Sequence, residues 1–124
     1  MADTILIVDD SKSMRQMTSM ILKGAGYAVV EAEDGEEGLE KLSDEITLII
    51  TDYNMPKRNG VDFIKAVRGG STKPSVPILM LTTESEEQKK MEGKEAGATG
   101  WLTKPFDQEQ LLAVVKKVAG PVSI

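Results

Sequence analysis

Three uninterrupted aliphatic runs punctuate the chain, at Thr4 to Val8, Leu48 to Thr51 and Ile78 to Leu81. Each is too short for a helix, the first two are rich in β-branched residues, and a run without polar alternation suits a strand covered on both faces. Two weaker strands are predicted at Tyr27 to Ala32 and Trp101 to Thr103. Between these runs the apolar positions fall into helical spacing. Met14, Met17, Ile21 and Leu22 lead to Gly24 and Gly26, and Val61, Ile64, Ala66 and Val67 lead to Gly69 and Gly70. Glu36 to Leu42 reads as a short helix and Glu86 to Ala96 as a later one. The last helix carries the strongest signal: Asp107 can cap it, Gln110 follows three residues on, and Leu111, Leu112, Val115 and Val118 form its apolar face. Lys116 and Lys117 complement its negative end.

The resulting order, βαβαβαβαβα, predicts an α/β fold with a parallel sheet and helices on both faces, because each right-handed crossover returns the chain to the same strand direction. With 124 residues, no repeat and no linker, a single domain over residues 1–124 is expected, without an output domain. The net charge of -5 is spread along the chain with no Lys/Arg block, which argues against nucleic acid as a partner. There is no Cys and no His, so Cys/His zinc sites, thiol nucleophiles, Ser/His/Asp triads and disulfides are excluded. Any chemistry must use carboxylates, hydroxyls, lysine or a hard metal. The apolar run Ile5 to Val8 is broken at once by Asp9 and Asp10, giving neither a signal peptide nor a membrane span and an expectation of a cytoplasmic protein.

In open parallel sheets ligands bind beyond the carboxyl ends of the strands. Those positions hold Asp9 and Asp10 after the first strand, Asp52 after the third, Thr82 and Thr83 after the fourth, and Lys104 before Pro105 near the end of the fifth. If the first and third strands are neighbours, three carboxylates meet in one crevice and repel unless a cation lies among them. Oxygen ligands of this kind suit Mg²⁺, which keeps waters that a phosphate can replace. A carboxylate beside such a metal can attack a phosphoryl centre and form an acyl phosphate. The transferring group spreads its charge over three oxygens, so a metal, an ammonium and a hydroxyl make a suitable clamp. Asp52, Thr82 and Lys104 fit as nucleophile, hydroxyl and amine.

The segments Leu6-Ile7-Val8-Asp9-Asp10-Ser11, Asp52-Tyr53-Asn54-Met55-Pro56 with Gly60 after it, Leu81-Thr82-Thr83-Glu84 and Gly100-Trp101-Leu102-Thr103-Lys104-Pro105-Phe106 occur in that order. In this the chain resembles the response regulator receiver domains, most closely the stand-alone chemotaxis members of that family, over essentially its whole length. The resemblance implies a flavodoxin-like (βα)5 doubly wound fold with strand order 2-1-3-4-5. It implies phosphorylation of Asp52 by a histidine kinase, with Asp9, Asp10, Asp52 and the backbone carbonyl of Asn54 around Mg²⁺ and Lys104 on the phosphoryl group. It further implies Thr82 and Trp101 as the switch pair and Asn54 and Glu84 as the positions that set the lifetime of the phosphate. Thr83 is bulkier, and Trp101 larger, than the residues common at those positions.

Blander readings stand beside these. Asp9 and Asp10 could simply cap a helix, Asp52 could begin a turn, Lys104 could be an exposed loop lysine, Thr82 strand filler and Trp101 partial core. The methionines at 14, 17 and 20 read as core or helix surface. The leading expectation is a two-component response regulator that binds a flagellar motor switch protein and has no external substrate, hence not an enzyme in the usual sense. A monomer is expected, with no membrane partner, and a phosphatase is allowed as a further partner. A phosphorelay intermediate or phosphate sink would share the chemistry. A Mg²⁺-dependent phosphohydrolase with Asp52 as nucleophile is the alternative of another class, disfavoured because Asn54 stands where a second acid is usual. Flavin electron transfer is opposed by the negative charge of Asp9 and Asp10 where an FMN phosphate would sit.

Overall fold

The structure is a computed structural model that describes residues 4–53, 60–72, 74–82, 87–103 and 106–119. Five strands and five helices alternate: β1 (Thr4–Val8), α1 (Lys12–Gly24), β2 (Ala28–Ala32), α2 (Gly35–Lys41), β3 (Ile46–Asp52), α3 (Gly60–Gly69), β4 (Ile78–Thr82), α4 (Glu87–Ala96), β5 (Gly100–Thr103) and α5 (Gln108–Ala119). The strands form one parallel sheet in the order β2-β1-β3-β4-β5. The fold class and strand order expected from the sequence are both present.

The uninterrupted aliphatic runs occupy the three inner strands, as their lack of alternation requires. Every residue from Ile5 to Val8, from Leu48 to Asp52 and from Ile78 to Thr82 is buried. Alternate residues feed two separate cores. Ile5, Ile7, Leu48, Ile50, Leu79 and Leu81 pack with Leu22 of α1 and with Leu111 and Val115 of α5. Leu6, Val8, Ile49, Ile78 and Met80 pack on the other face with Phe63, Ile64 and Val67 of α3 and Ala96 of α4. The period-two alternation of the strands therefore assigns each position to one helical layer. The edge strands β2 and β5 are only partly buried, which explains their weaker hydrophobic signal.

Helix starts follow the capping chemistry. Asp107 and Gln110 form a reciprocal capping box, with Gln110 N donating to Asp107 Oδ1 at 2.8 Å and Asp107 N to Gln110 Oε1 at 3.0 Å. Asp34 caps α2 by accepting from Glu37 N at 2.9 Å. The cap of α1 is Ser11, whose side chain accepts from Met14 N, so neither Asp9 nor Asp10 serves that role. One helical face departs from expectation. The buried residues of α1 are Thr18, Ser19 and Leu22, whereas Met17 is exposed. Thr18 is accommodated because its Oγ1 donates to the Met14 carbonyl at 2.9 Å, leaving a small and satisfied side chain against the sheet.

Arg68 of α3 clamps two loops at the amino end of the sheet. Its guanidinium donates to Gly97 O at 2.7 and 3.0 Å, to Pro74 O at 2.9 Å and to Val76 O at 2.6 Å. Burial pulls the pKa of the group below its ordinary value, yet a guanidinium keeps its charge at neutral pH. Gly97 has φ of 114°, and a Cβ there would meet Arg68 Cγ and Nε at 2.9 Å, so glycine is required both by backbone and by space. Arg68→Ala is expected to lower unfolding free energy by roughly 2–4 kcal/mol in urea titrations, by leaving three carbonyls without their charged donor. Arg68→Lys should recover only part of that loss, because an ammonium lacks the planar fork.

Candidate functional site

The two central strands bring the acidic residues together. In the β1–β3 pairing Val8 lies opposite Thr51, so the next positions along the two strands are Asp9 and Asp52. Both continue stripes of one sheet face, Ile5 and Ile7 leading to Asp9, Leu48 and Ile50 leading to Asp52. Asp52 is the last residue of β3 and not a residue beyond it, since the ladder to β4 still pairs Asp52 with Leu81. Thr82 is likewise the last residue of β4, fully buried and paired with Thr103 of β5. Both thus lie one position inside strands whose aliphatic runs end at Thr51 and Leu81.

Carboxylate oxygens of Asp9, Asp10 and Asp52 lie within 4.8 Å of one another, with Asp9 and Asp52 buried and Asp10 exposed. Local hydrogen bonds fix two of them. Asp9 Oδ1 accepts from Ser11 N at 2.9 Å, and the Asp9 carbonyl accepts from the Arg15 guanidinium at 2.7 Å, which in turn pairs with Glu31 at 3.2 Å. Asp52 Oδ1 accepts from Tyr53 N at 3.0 Å. Three hard oxygen donors around one small space, one of them open to solvent, fit a divalent cation that keeps waters in its coordination shell. The structure thus contains an acidic cluster able to hold a metal ion.

Trp101 of β5 is half-buried, packs against the core on the α3 side and lies opposite Met80 in the β4–β5 pairing. Thr82 and Trp101 share that sheet face, since Met80 and Thr82 are alternate residues of β4 and Thr82 pairs one turn of the pleat beyond. Asn54, Thr83, Glu84, Lys104 and Pro105 lie outside the described residues.

The junction after Asp52 is held by contacts that no local sequence pattern signals. The Tyr53 carbonyl accepts from Gly60 N at 2.8 Å, and its phenol donates to Glu92 of α4 at 2.6 Å. A Cβ on Gly60 would collide with the Asp52 carbonyl oxygen, so the first residue of α3 is glycine because the backbone bearing Asp52 passes directly against it.

A family model for the response regulator receiver domain matches residues 5–116. The chain belongs to the response regulator receiver domain family. Chemotaxis protein CheY1 of Helicobacter pylori is 39% identical over 119 residues, covering 94% of this chain and 96% of that protein. The transcriptional regulatory protein CpxR of Escherichia coli is 37% identical over 114 residues, 92% of this chain but 48% of CpxR. The chain spans about half the length of such curated transcriptional regulators. Among solved structures, Vibrio cholerae chemotaxis protein CheY4 superposes with a TM-score of 0.91 at 50% identity, over 95% of this chain and 99% of that one. No helix among the described residues of this receiver domain is long and apolar enough to cross a membrane.

Gly60→Ala should therefore act on the site as well as on the fold. It is expected to cost about 1–3 kcal/mol of stability through overpacking against backbone that has no rotamer to give. Because the strain falls on the backbone of Asp52, the folded variant should also bind a divalent cation more weakly at the acidic cluster, as titration calorimetry would read, whereas Gly24→Ala, where a Cβ meets nothing within 4 Å, should leave binding unchanged.

Proposed function

We propose that this receiver domain is phosphorylated on Asp52 by a histidine kinase, in the presence of Mg²⁺, and signals by a change of surface. The observation that carries this reading is the meeting of the Asp9, Asp10 and Asp52 carboxylates at the carboxyl ends of β1 and β3. Asp9, Asp10 and Asp52, with the Asn54 carbonyl, would hold the cation, which supplies neutralisation of the carboxylates and of the incoming phosphoryl oxygens. The Tyr53 N–H helps to orient the Asp52 carboxylate, and a carboxylate oxygen of Asp52 acts as the nucleophile. It forms an O–P bond while the P–N bond of a phosphohistidine breaks, and the imidazole leaves with a proton taken from water. Burial of Asp52 restricts water around the developing charge.

The new phosphoryl group carries about -1.5 to -2 charge units and three acceptor oxygens, which Lys104 and the Thr82 hydroxyl can engage. Drawing in Thr82 frees space on the sheet face shared with Trp101, and the aromatic follows. Asn54 and Glu84 set how long the acyl phosphate survives attack by water. No external substrate is turned over, so the domain acts on its own phosphoryl group only.

Chemotaxis is the output we favour, with a flagellar motor switch protein as target, because two of the relatives matched over nearly their whole length, CheY1 and CheY4, are chemotaxis proteins. A phosphate sink would share every chemical step and would fail to bind such a target when phosphorylated.

Intact mass after Mg²⁺ and acetyl phosphate, with rapid acid quench, is the test. Wild type is expected to gain one phosphoryl group only with Mg²⁺, and Asp52→Asn to gain none. Equal labelling of the variant would refute the assignment of Asp52. Steady hydrolysis of a phosphate ester by wild type alone would point to the phosphohydrolase reading.

A further inference from the structure

Helix α4 is the least hydrophobic of the five, with Met91 as its one large apolar residue, and that residue is 58% exposed. Its inward positions among the described side chains are Gly93 and Ala96, which are buried but small. A Cβ on Gly93 would lie 2.5 Å from Met80 Cε, so the helix sits directly on the sheet without an apolar stripe of its own. What it does offer is the half-buried Glu92, whose carboxylate accepts the Tyr53 phenol at 2.6 Å. An O–H···O⁻ bond of that length is charge-assisted and belongs to the stronger class of hydrogen bonds.

Tyr53 is the residue after Asp52, and its backbone N–H is shared between Leu81 O at 2.8 Å and Asp52 Oδ1 at 3.0 Å. A small rotation of this peptide decides how the donor divides between the two acceptors. The phenol held by Glu92 limits that rotation, because turning the peptide displaces the Tyr53 Cα and with it the ring, whose far end is tied to α4 through only two side-chain torsions. Beside the ring a cleft of about 460 Å³, lined by Tyr53, Val61, Lys65, Glu92 and Glu95, gives it room to turn once the bond is lost.

We infer that Tyr53 and Glu92 form a positioning pair: the tyrosine hydroxyl, anchored on α4, holds the Asp52 carboxylate ready to accept a phosphoryl group and couples its occupancy to α4. This rests on the reading of Asp52 as phosphoacceptor. Coupling of this kind is reciprocal, so a ligand on Asp52 must also steady α4.

The test uses the full chain with Mg²⁺ and beryllofluoride as a phosphoryl mimic, comparing wild type, Tyr53→Phe, Glu92→Gln, the double variant and Asp52→Asn. Affinity is measured by calorimetry, and amide exchange in α4 is followed with and without the mimic. Each single variant is expected to bind about three- to tenfold more weakly, and the double variant no more weakly than the worse single one. The mimic should slow α4 exchange in wild type and lose that effect in the variants. Unchanged or tighter binding, with α4 exchange raised equally in both conditions, would overturn the proposal and leave the bond a simple tether. Failure of wild type itself to bind the mimic would overturn the phosphoacceptor reading, and the coupling with it. Glu92→Gln removes the charge that strengthens the bond while keeping the shape of the side chain, so its weaker binding carries the test should Tyr53→Phe perturb folding.

Discussion

The structure depends on holding together carboxylates that repel. Asp9 and Asp52 end adjacent strands, and their oxygens, with those of Asp10, lie within 4.8 Å of one another. At such a distance two ionised carboxylates repel by about 3–4 kcal/mol for an effective dielectric near 20. They cannot move apart, because β1 and β3 are hydrogen-bonded neighbours buried on both faces, and slipping the register by one residue would turn every core side chain to the wrong layer. Hydrophobic burial of the sheet thus stabilises a polar arrangement that is unfavourable by itself. A site built this way is receptive to any positive charge that can enter it.

The two faces of the sheet divide the remaining roles. The stripe that buries Ile5, Ile7, Leu48 and Ile50 under α1 and α5 terminates in Asp9 and Asp52. The opposite stripe, which carries Met80 and supports Trp101, terminates in Thr82. The carboxylates and the Thr82 hydroxyl therefore reach the same end of the sheet from opposite faces. Tyr53 adds a separate link to α4, and Gly60 keeps α3 close against the same backbone.

Much of this was legible in the chain itself. Uninterrupted aliphatic runs marked the inner strands, and the Asp107 and Gln110 spacing marked the last helix down to its reciprocal hydrogen bonds. The acidic residues stood out because two strand ends carried three carboxylates. Other features depend on tertiary geometry that no local pattern encodes. Thr18 and Ser19 face the sheet although Met17 is the more hydrophobic residue, since close approach of α1 selects for size over hydropathy. Asp52 and Thr82 belong to their strands because neighbouring strands extend the ladders that far. The Tyr53–Glu92 bond joins residues 39 apart in sequence, and Arg68 reaches Gly97 across 29, so neither has a sequence signature.

The most direct test of the account is unfolding free energy of wild type and Asp52→Asn, each with and without Mg²⁺. Asparagine keeps the shape and the oxygen that accepts the Tyr53 N–H but removes the charge. The account predicts that Asp52→Asn is more stable than wild type by about 1–3 kcal/mol without the cation, as repulsion is relieved, and that Mg²⁺ stabilises wild type more than the variant. A variant less stable than wild type without Mg²⁺, and equal stabilisation of both chains by the ion, would contradict it.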